Sequence, residues 1–155
     1  MKTVLTFTLV LSTALVVPFA LASPLADVPT GHWAAGAVHR LAADKIMAGN
    51  SQGKFDGSKP VTRYELAVTL DRLVRYMEAG RKPLSAGAKQ GAVPLPASID
   101  ANTRFALTHL AQGGFIAPSS PLLQSDKIVT ARELTDILAQ VAIRLSDRSL
   151  PPTPH

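Results

Sequence analysis

A helix-start motif occurs twice in this 155-residue chain and constrains its fold more than any other feature. Thr62 and Glu65 have the spacing of a capping box, in which the side chain of each residue accepts a hydrogen bond from the backbone N–H of the other. Thr130 and Glu133 repeat that spacing 68 residues later. Apolar residues follow both motifs at intervals of three and four, which predicts two amphipathic helices, one beginning at Arg63 and one opened by Thr130.

A further helix is predicted before each motif. Apolar residues lie at helical spacing within 32–43 and again within 99–112. Each half of the chain is therefore a helix–loop–helix repeat, and the first loop is predicted to contain two very short strands, 46–47 and 54–55, that pair around a turn. Because neither repeat alone buries much apolar surface, we expect a mainly α fold in which the repeats pack as a small helical bundle.

The N-terminal segment predicts export. An apolar run extends from Val4 to Leu21, and Ala20 and Ala22 occupy the two small-residue positions of a signal-peptidase site. A membrane-anchoring helix is the competing interpretation, because the run approaches the length that spans a bilayer. We favour cleavage after Ala22 and an exported protein.

Composition shifts along the chain predict its remaining boundaries. A stretch rich in glycine, proline, alanine and serine separates the two repeats and shows no periodic apolar stripe. The predicted segments are a signal peptide at 1–22, a first repeat at 23–79, a basic linker at 80–97, a degenerate second repeat at 98–146 and a disordered tail at 147–155.

Charge and cysteine content limit the kinds of partner and of chemistry that the chain can have. The chain has 16 Lys and Arg against 11 Asp and Glu, with the excess in its N-terminal half. A basic bias suits an anionic polymer, although solubility alone also explains such a bias. Export argues against nucleic acid as the partner. The chain has no cysteine, so disulfides and thiol chemistry are excluded.

Arg63 is an unusual residue for the first turn of a helix. The unpaired N–H groups there carry partial positive charge, and a cation beside them costs about 0.3–1 kcal/mol. A surface ion pair would return only ~0–1 kcal/mol, so stability alone does not select an arginine. A bound anion would explain an arginine at this position, because the N–H groups and the guanidinium can converge on one carboxylate or phosphate. We therefore expect Arg63→Ala to abolish ligand binding and to leave stability unchanged.

The first repeat resembles a known family. The elements DVP at 27–29, HWA at 32–34, Ile46 with Gly49, G-K-F at 53–55 and T-R-Y-E at 62–65 occur in the order and spacing of an S-layer homology (SLH) domain. The resemblance implies non-covalent attachment to an anionic cell-wall polymer, often one bearing pyruvylated sugars, or to peptidoglycan. It therefore also implies a location in the bacterial cell envelope, either wall-associated or in the periplasm and linked to the outer membrane.

The same resemblance implies the ligand-binding residues. Arg63 would meet a carboxylate of the ligand, and Trp33 would line the sugar groove with one ring face buried and the other exposed. Asp27 would accept hydrogen bonds from sugar hydroxyls, and the turn at Gly49 would let the ligand approach the backbone.

The second repeat departs from the family pattern. It has no DVP and no tryptophan, and its arginine is Arg132, one position later than in T-R-x-E. That offset turns the side chain by ~100° around the helix. Thr130 and Glu133 are thus expected to cap a structural helix rather than to bind. Since the family commonly uses three repeats, homo-oligomerisation or other SLH proteins would supply the missing copies.

The sequence favours a binding protein over an enzyme. There is no cysteine nucleophile, no G-x-S-x-G motif and no carboxylate pair with a supporting histidine. His32, His39 and His109 lack the spacing of metal ligands, so neither a metal nor a cofactor is expected. The alternative interpretation is a peptidoglycan-binding module of another family, whose D-G-x-F-G loop is faintly echoed by G-K-F-D-G-S at 53–58.

Overall fold

A computed structural model describes residues 25–79 and 93–147, so the predicted signal peptide, most of the predicted linker and nearly all of the predicted tail lie outside the described residues. The described part is mainly helical, which confirms the predicted fold class. None of its helices is long and apolar enough to cross a membrane. The helices are α1 (Ala35–Ala43), α2 (Arg63–Glu78), α3 (Ala101–Gln112), a short 3₁₀ helix (Pro121–Leu123) and α4 (Ala131–Ser146).

Both capping boxes are formed. In α2, Thr62 Oγ1 accepts from the Glu65 N–H at 3.2 Å, and Glu65 Oε2 accepts from the Thr62 N–H at 3.0 Å. In α4, the two matching bonds between Thr130 and Glu133 are both 3.2 Å long. The two helices therefore begin where the spacing predicts, because the motif satisfies backbone donors that a helix start leaves unpaired.

The end of α1 is a Schellman motif. The Ile46 N–H donates to the Leu41 carbonyl at 2.9 Å and the Lys45 N–H donates to the Ala42 carbonyl at 3.0 Å. Lys45 has φ +58°, the left-handed conformation that this motif requires. The chain reverses there and buries the Ile46 side chain.

The end of α3 repeats that motif 69 residues later. The Phe115 N–H donates to the Leu110 carbonyl at 2.9 Å, and the Gly114 N–H donates to the Ala111 carbonyl at 3.0 Å. Gly114 has φ +71° and occupies the position of Lys45. The two halves thus share the same helix ends as well as the same helix starts. Below, positions in α1 and α3 that differ by 69, and positions in α2 and α4 that differ by 68, are called counterparts.

One apolar core lies between the two repeats. The second helix of the first repeat, α2, packs against α3 and the 3₁₀ helix. Val93 and Leu95, at the end of the predicted linker, pack against the same core. The buried core residues are Leu66, Ala67, Leu70 and Val74 of α2, Leu107, Leu110 and Ala111 of α3, Phe115, Ile116, Leu122 and Leu123 of the segment that follows, and Ile137 and Val141 of α4.

The two short strands predicted in the first loop are not formed. The Asn50 side chain instead accepts hydrogen bonds from the Gln52 and Lys54 N–H groups at 2.9 and 3.1 Å, so the Lys54 N–H of the second predicted strand is bonded within a local turn. In the described ranges a single β-bridge occurs, between Thr62 and Ile128. It joins the two repeats rather than the two sides of one loop.

Candidate functional site

Arg63 contacts the second repeat. Its guanidinium forms a salt bridge with Glu133 at 2.5 Å and donates to the hydroxyl of Ser125 at 3.0 Å. The side chains of Arg63 and Glu133 are only 13% and 20% exposed. The Arg63 hydrogen bond, followed by that from the Thr130 backbone, holds the pKa of Glu133 below its ordinary value. The arginine therefore links the starts of α2 and α4.

The N–H groups at the start of α2 are also bonded within the chain. The Arg63 N–H donates to the Lys127 carbonyl at 2.8 Å, and the Tyr64 N–H donates to the Asp126 carboxylate at 3.1 Å. The next N–H, of Glu65, is taken by the cap. In this structure the Arg63 guanidinium meets the Glu133 carboxylate and the Tyr64 N–H meets the Asp126 carboxylate, so the two groups bond to different anions of the second repeat.

This arrangement gives Arg63 a structural role between the two repeats that the sequence does not predict. The sequence predicts Glu133 only as a cap, whereas its carboxylate both caps α4 and binds Arg63. A ligand carboxylate would have to displace it. The expectation that Arg63→Ala leaves stability unchanged does not follow from this geometry, since the substitution leaves a carboxylate that is mostly covered without its partner.

Asp27 ties the start of the first repeat to its loop. Its two carboxylate oxygens accept from the N–H groups of Phe55 and Asp56, each at 2.6 Å. The Phe55 bond, and after it the Asp56 bond, lowers the pKa of Asp27. Asp27, which is predicted to accept hydrogen bonds from sugar hydroxyls, thus accepts these two short hydrogen bonds from the backbone of the loop in its own repeat.

Gly49 is required by packing inside the protein. A Cβ at this position would lie 2.7 Å from the Leu25 side chain and 3.0 Å from the Lys54 carbonyl. Leu25 is buried, and the turn closes on it through the hydrogen bond from the Asn50 N–H to the Lys54 carbonyl. The absence of a side chain at Gly49 therefore lets the loop close on Leu25, and the predicted approach of a ligand is not needed to explain it.

Trp33 lies in the solvent, at 91% exposure. The prediction that one ring face is buried is wrong, because α1 begins at Ala35 rather than at residue 32 and Trp33 belongs to the preceding turn. Its described aromatic neighbour is His32, whose ring centroid is 5.6 Å away and tilted by 35°. The largest apolar side chain of the chain is thus presented to water beside a second ring.

The structure brings the four predicted ligand-binding residues to different surroundings. Asp27 and Gly49 both hold the first loop in place. Arg63 faces the second repeat, and Trp33 projects from the turn before α1. Arg132, which was predicted not to bind, is exposed on the first turn of α4.

A buried charged cluster between α2 and α3 was missed by the sequence argument. Asp71 is 1% exposed, and its two carboxylate oxygens lie 2.7 Å from His109 Nδ1 and 2.9 Å from the Arg75 guanidinium. Glu78, also buried, approaches His109 Nε2 at 3.7 Å. The available signal was two acids spaced by two helical turns on the apolar face of α2. Within the described ranges no group of three His, Cys, Asp or Glu side chains is arranged to hold a metal ion.

Fold and site together define a small module of two helix–loop–helix repeats whose first repeat exposes an aromatic pair. Residues 24–67 match the family model of the S-layer homology domain, which confirms the resemblance for that part of the chain. The matched range contains every element of the motif series from DVP to T-R-Y-E.

Three curated relatives extend that match. Outer membrane protein SlpA of Deinococcus radiodurans is 42% identical over 59 residues, which is 38% of this chain and 5% of the relative. SlpA of Thermus thermophilus is 44% identical over 68 residues, 44% of this chain and 7% of the relative. Outer membrane protein alpha of Thermotoga maritima is 40% identical over 52 residues, 34% of this chain and 13% of the relative.

The chain therefore spans only a small part of the length of the curated relatives that it matches. No solved structure matches it significantly. The family match and the names of these relatives support a role at the cell envelope.

Proposed function

We propose that this chain is an exported envelope protein that binds an anionic cell-wall polysaccharide or peptidoglycan non-covalently through its first repeat. The match of residues 24–67 to the S-layer homology domain supports this class of ligand. The observation that carries the proposal is the exposure of Trp33, 91% open to solvent within the matched segment.

An exposed tryptophan needs an explanation, because burying an aromatic ring is among the larger favourable contributions to folding. Because Trp33 is exposed in this fold, its ring does not make that contribution to stability. A sugar ring stacked on the indole would recover it on binding. His32 provides a second ring and a hydrogen-bonding nitrogen beside that surface.

Charge attraction would come from cations other than Arg63. Arg40, Lys45 and Lys54 are exposed on α1 and the first loop, and the Lys54 charge already acts on the carboxylate of Asp27. A polyanionic ligand near these residues would be attracted without disturbing the bridge between the repeats. In this proposal Arg63 and Asp27 position the repeat, and Trp33 contacts the ligand.

The test is binding to purified sacculi by the wild-type chain, Trp33→Ala and Tyr76→Ala. Tyr76 is an exposed aromatic residue on α2 and serves as the matched control. Trp33→Ala should weaken binding by about tenfold or more, a change of ~1.4 kcal/mol, with stability within ~0.5 kcal/mol of wild type. Equal binding by wild type and Trp33→Ala would contradict the proposal.

The same titration has a spectroscopic readout, because Trp33 is the only tryptophan in the chain. Stacking on a sugar should shift its fluorescence to shorter wavelength and protect it from iodide quenching.

Sacculi from which acid has removed the secondary polymers distinguish the two proposed ligands. Binding lost after the acid step indicates an SLH-type polymer, whereas retained binding indicates peptidoglycan itself, as for the alternative family.

Export is part of the proposal and has its own measurement. Intact mass of the protein recovered from the envelope of the producing cells should correspond to cleavage after Ala22. A mass that retains the apolar run from Val4 to Leu21 would favour the membrane-anchored alternative.

A further inference from the structure

Helix α4 presents an exposed apolar face. Leu134 and Leu138 are 38% and 43% exposed, although large aliphatic side chains at this spacing on a helix normally face a core. Thr135, Ala139 and Ala142 lie between and beside them and are exposed as well. We call these five residues the outer face of α4.

The counterpart face of α2 is buried. Leu66 and Leu70, the counterparts of Leu134 and Leu138, are 8% and 2% exposed. Ala67, Asp71 and Val74 complete that face and are also buried. They are covered because α2 packs against α3 and the 3₁₀ helix of the other repeat. The same helix face is thus covered in one repeat and open in the other.

The starts of α2 and α4 differ in the same way as their faces. Asp126 and Lys127, which precede the second helix of the neighbouring repeat, accept hydrogen bonds from the first two N–H groups of α2. For α4, the structure shows no partner for the Ala131 and Arg132 N–H groups among residues 25–79 and 93–147. Both the face and the start of α4 therefore lack what a neighbouring repeat gives to α2.

Helix α1 is also exposed, on the face that corresponds to the α2-contacting face of α3. In α3 the residues that meet α2 include Leu110 and Ala111, both buried, and His109, which contacts Asp71. Their α1 counterparts are Leu41 and Ala42, both only half-buried, and Arg40, which is exposed. Ala37 is exposed too, whereas its counterpart Ala106 is buried. Helix α1 thus lacks the cover that α2 gives to α3.

We propose that the outer face of α4 docks α1 of a second copy of this chain, in the arrangement by which α2 packs on α3 within one copy. The two open faces are of the two types that already pack together in the core, and both belong to this chain. A second copy is therefore the occupant that the internal repeat favours. The contact is head to tail, because each copy contributes a different face.

The side chains at this contact suit a mainly apolar association. Ala139 and Ala131 replace Asp71 and Arg63, so docking on α4 buries neither of the charges that α2 must pair. The charge left to accommodate is Arg40, whose long side chain can keep its guanidinium in water. Because a head-to-tail contact leaves one open face of each type on a dimer, we expect concentration-dependent association that continues into a closed ring or a longer chain.

Sedimentation of the full chain over a concentration series tests the surface. Leu138→Glu should weaken self-association at least tenfold, since it places a carboxylate in the apolar contact. Ile143→Glu is the matched control, because Ile143 is 63% exposed on the same helix and its counterpart Arg75 is exposed on α2. Equal association of wild type and Leu138→Glu, or a wild type that stays monomeric at millimolar concentration, would overturn the proposal.

Cross-linking tests the direction of the contact and does not depend on Leu138→Glu folding. Arg40→Cys and Ala139→Cys replace the counterparts of His109 and Asp71, which are 2.7 Å apart, and the chain has no other cysteine. A mixture of the two variants should give a dimer with a short bis-maleimide far faster than either variant alone. Faster cross-linking of Ala139→Cys with itself would indicate an α4–α4 contact and contradict the proposal.

Wall binding distinguishes this surface from the proposed ligand site. Leu138→Glu should bind sacculi through Trp33 as the wild type does at concentrations where the wild type is monomeric, because α4 contributes none of the residues proposed to contact or attract the ligand. Loss of self-association with retained binding supports the docking surface alone. Loss of binding in Trp33→Ala with intact self-association supports the ligand site alone.

Discussion

The carboxylate of Glu133 is an acceptor at two helix starts. It accepts from the Thr130 N–H to cap α4 and from the Arg63 guanidinium to hold α2. Both bonds favour the charged form of Glu133, and its pKa is lowered for that reason. One residue thus couples a local motif to the packing of the two repeats.

At this scale we expect Arg63→Ala to lower the melting temperature by about 5–10 °C, measured by circular dichroism. The substitution removes a largely covered guanidinium, and Glu133 and Ser125 lose their hydrogen bonds to it. Arg132→Ala is the control, since Arg132 is exposed on the same type of helix turn and should change the melting temperature by no more than ~2 °C. Equal melting temperatures for wild type and Arg63→Ala would show that the bridge contributes nothing.

The residue scale is also where sequence reasoning failed. The pattern showed that Arg63 needs an anion, but the anion is 70 residues away and only the packing of the repeats brings it close. Trp33 was assigned to a helix by its spacing from later apolar residues. The helix begins two residues after Trp33, so helical periodicity does not govern the direction of its side chain.

The elements themselves were largely predictable, because their signals are local. A capping box acts over three residues, and both boxes fix the start of a helix at the predicted position. The glycine pair after α3 likewise ends that helix, with Gly113 as its C-cap and Gly114 in the left-handed conformation. The repeat was visible for the same reason, since starts and ends recur at nearly one interval.

Helix α1 ends less favourably than α3, which gives a prediction at this scale. Lys45 holds the left-handed conformation that Gly114 holds at the end of α3, and a residue with a Cβ is strained there. Lys45→Gly should therefore stabilise the protein by about 0.5–1 kcal/mol after the entropy of glycine in the unfolded chain is deducted. The midpoint of urea unfolding, at constant m-value, measures it.

Lys45→Ala separates strain from charge. It removes the same exposed ammonium group near the end of α1 but keeps a Cβ at positive φ. It should not reproduce the gain of Lys45→Gly. If the two variants were equally stabilised, the lysine charge rather than the backbone conformation would be the cause.

For the whole molecule, the sequence predicted a helical bundle of two repeats but not which helices share the core. Packing of α2 on α3 means that the first repeat completes the core of the second. The Asp71–His109 contact belongs to the scale of the whole molecule, since it joins a helix of the first repeat to a helix of the second and the spacing within either helix does not pair the two residues. Relations between repeats depend on tertiary geometry, which neither spacing nor composition encodes.

Four carboxylates that accept hydrogen bonds within the chain have lowered pKa values. The main causes are the Phe55 N–H for Asp27, the Thr62 N–H for Glu65, the Thr103 side chain for Asp100 and the Arg63 side chain for Glu133. A pKa that is lower in the folded state means that the native protein binds fewer protons than the unfolded chain. Its stability contribution is therefore complete above the ordinary pKa values and is lost as the pH falls through the folded-state values.

The melting temperature should accordingly stay high near neutral pH and fall once the pH drops below the ordinary values, 4.5 for glutamate and 3.8 for aspartate. Glu133→Gln should make this acid-induced fall shallower, because it removes one of the groups that titrate. Arg63→Ala should have a similar effect, since the arginine is the main cause of the lowered pKa of Glu133. The double variant should then add little to either single variant, whereas additive changes would mean that Arg63 affects the acid-induced fall through a group other than Glu133.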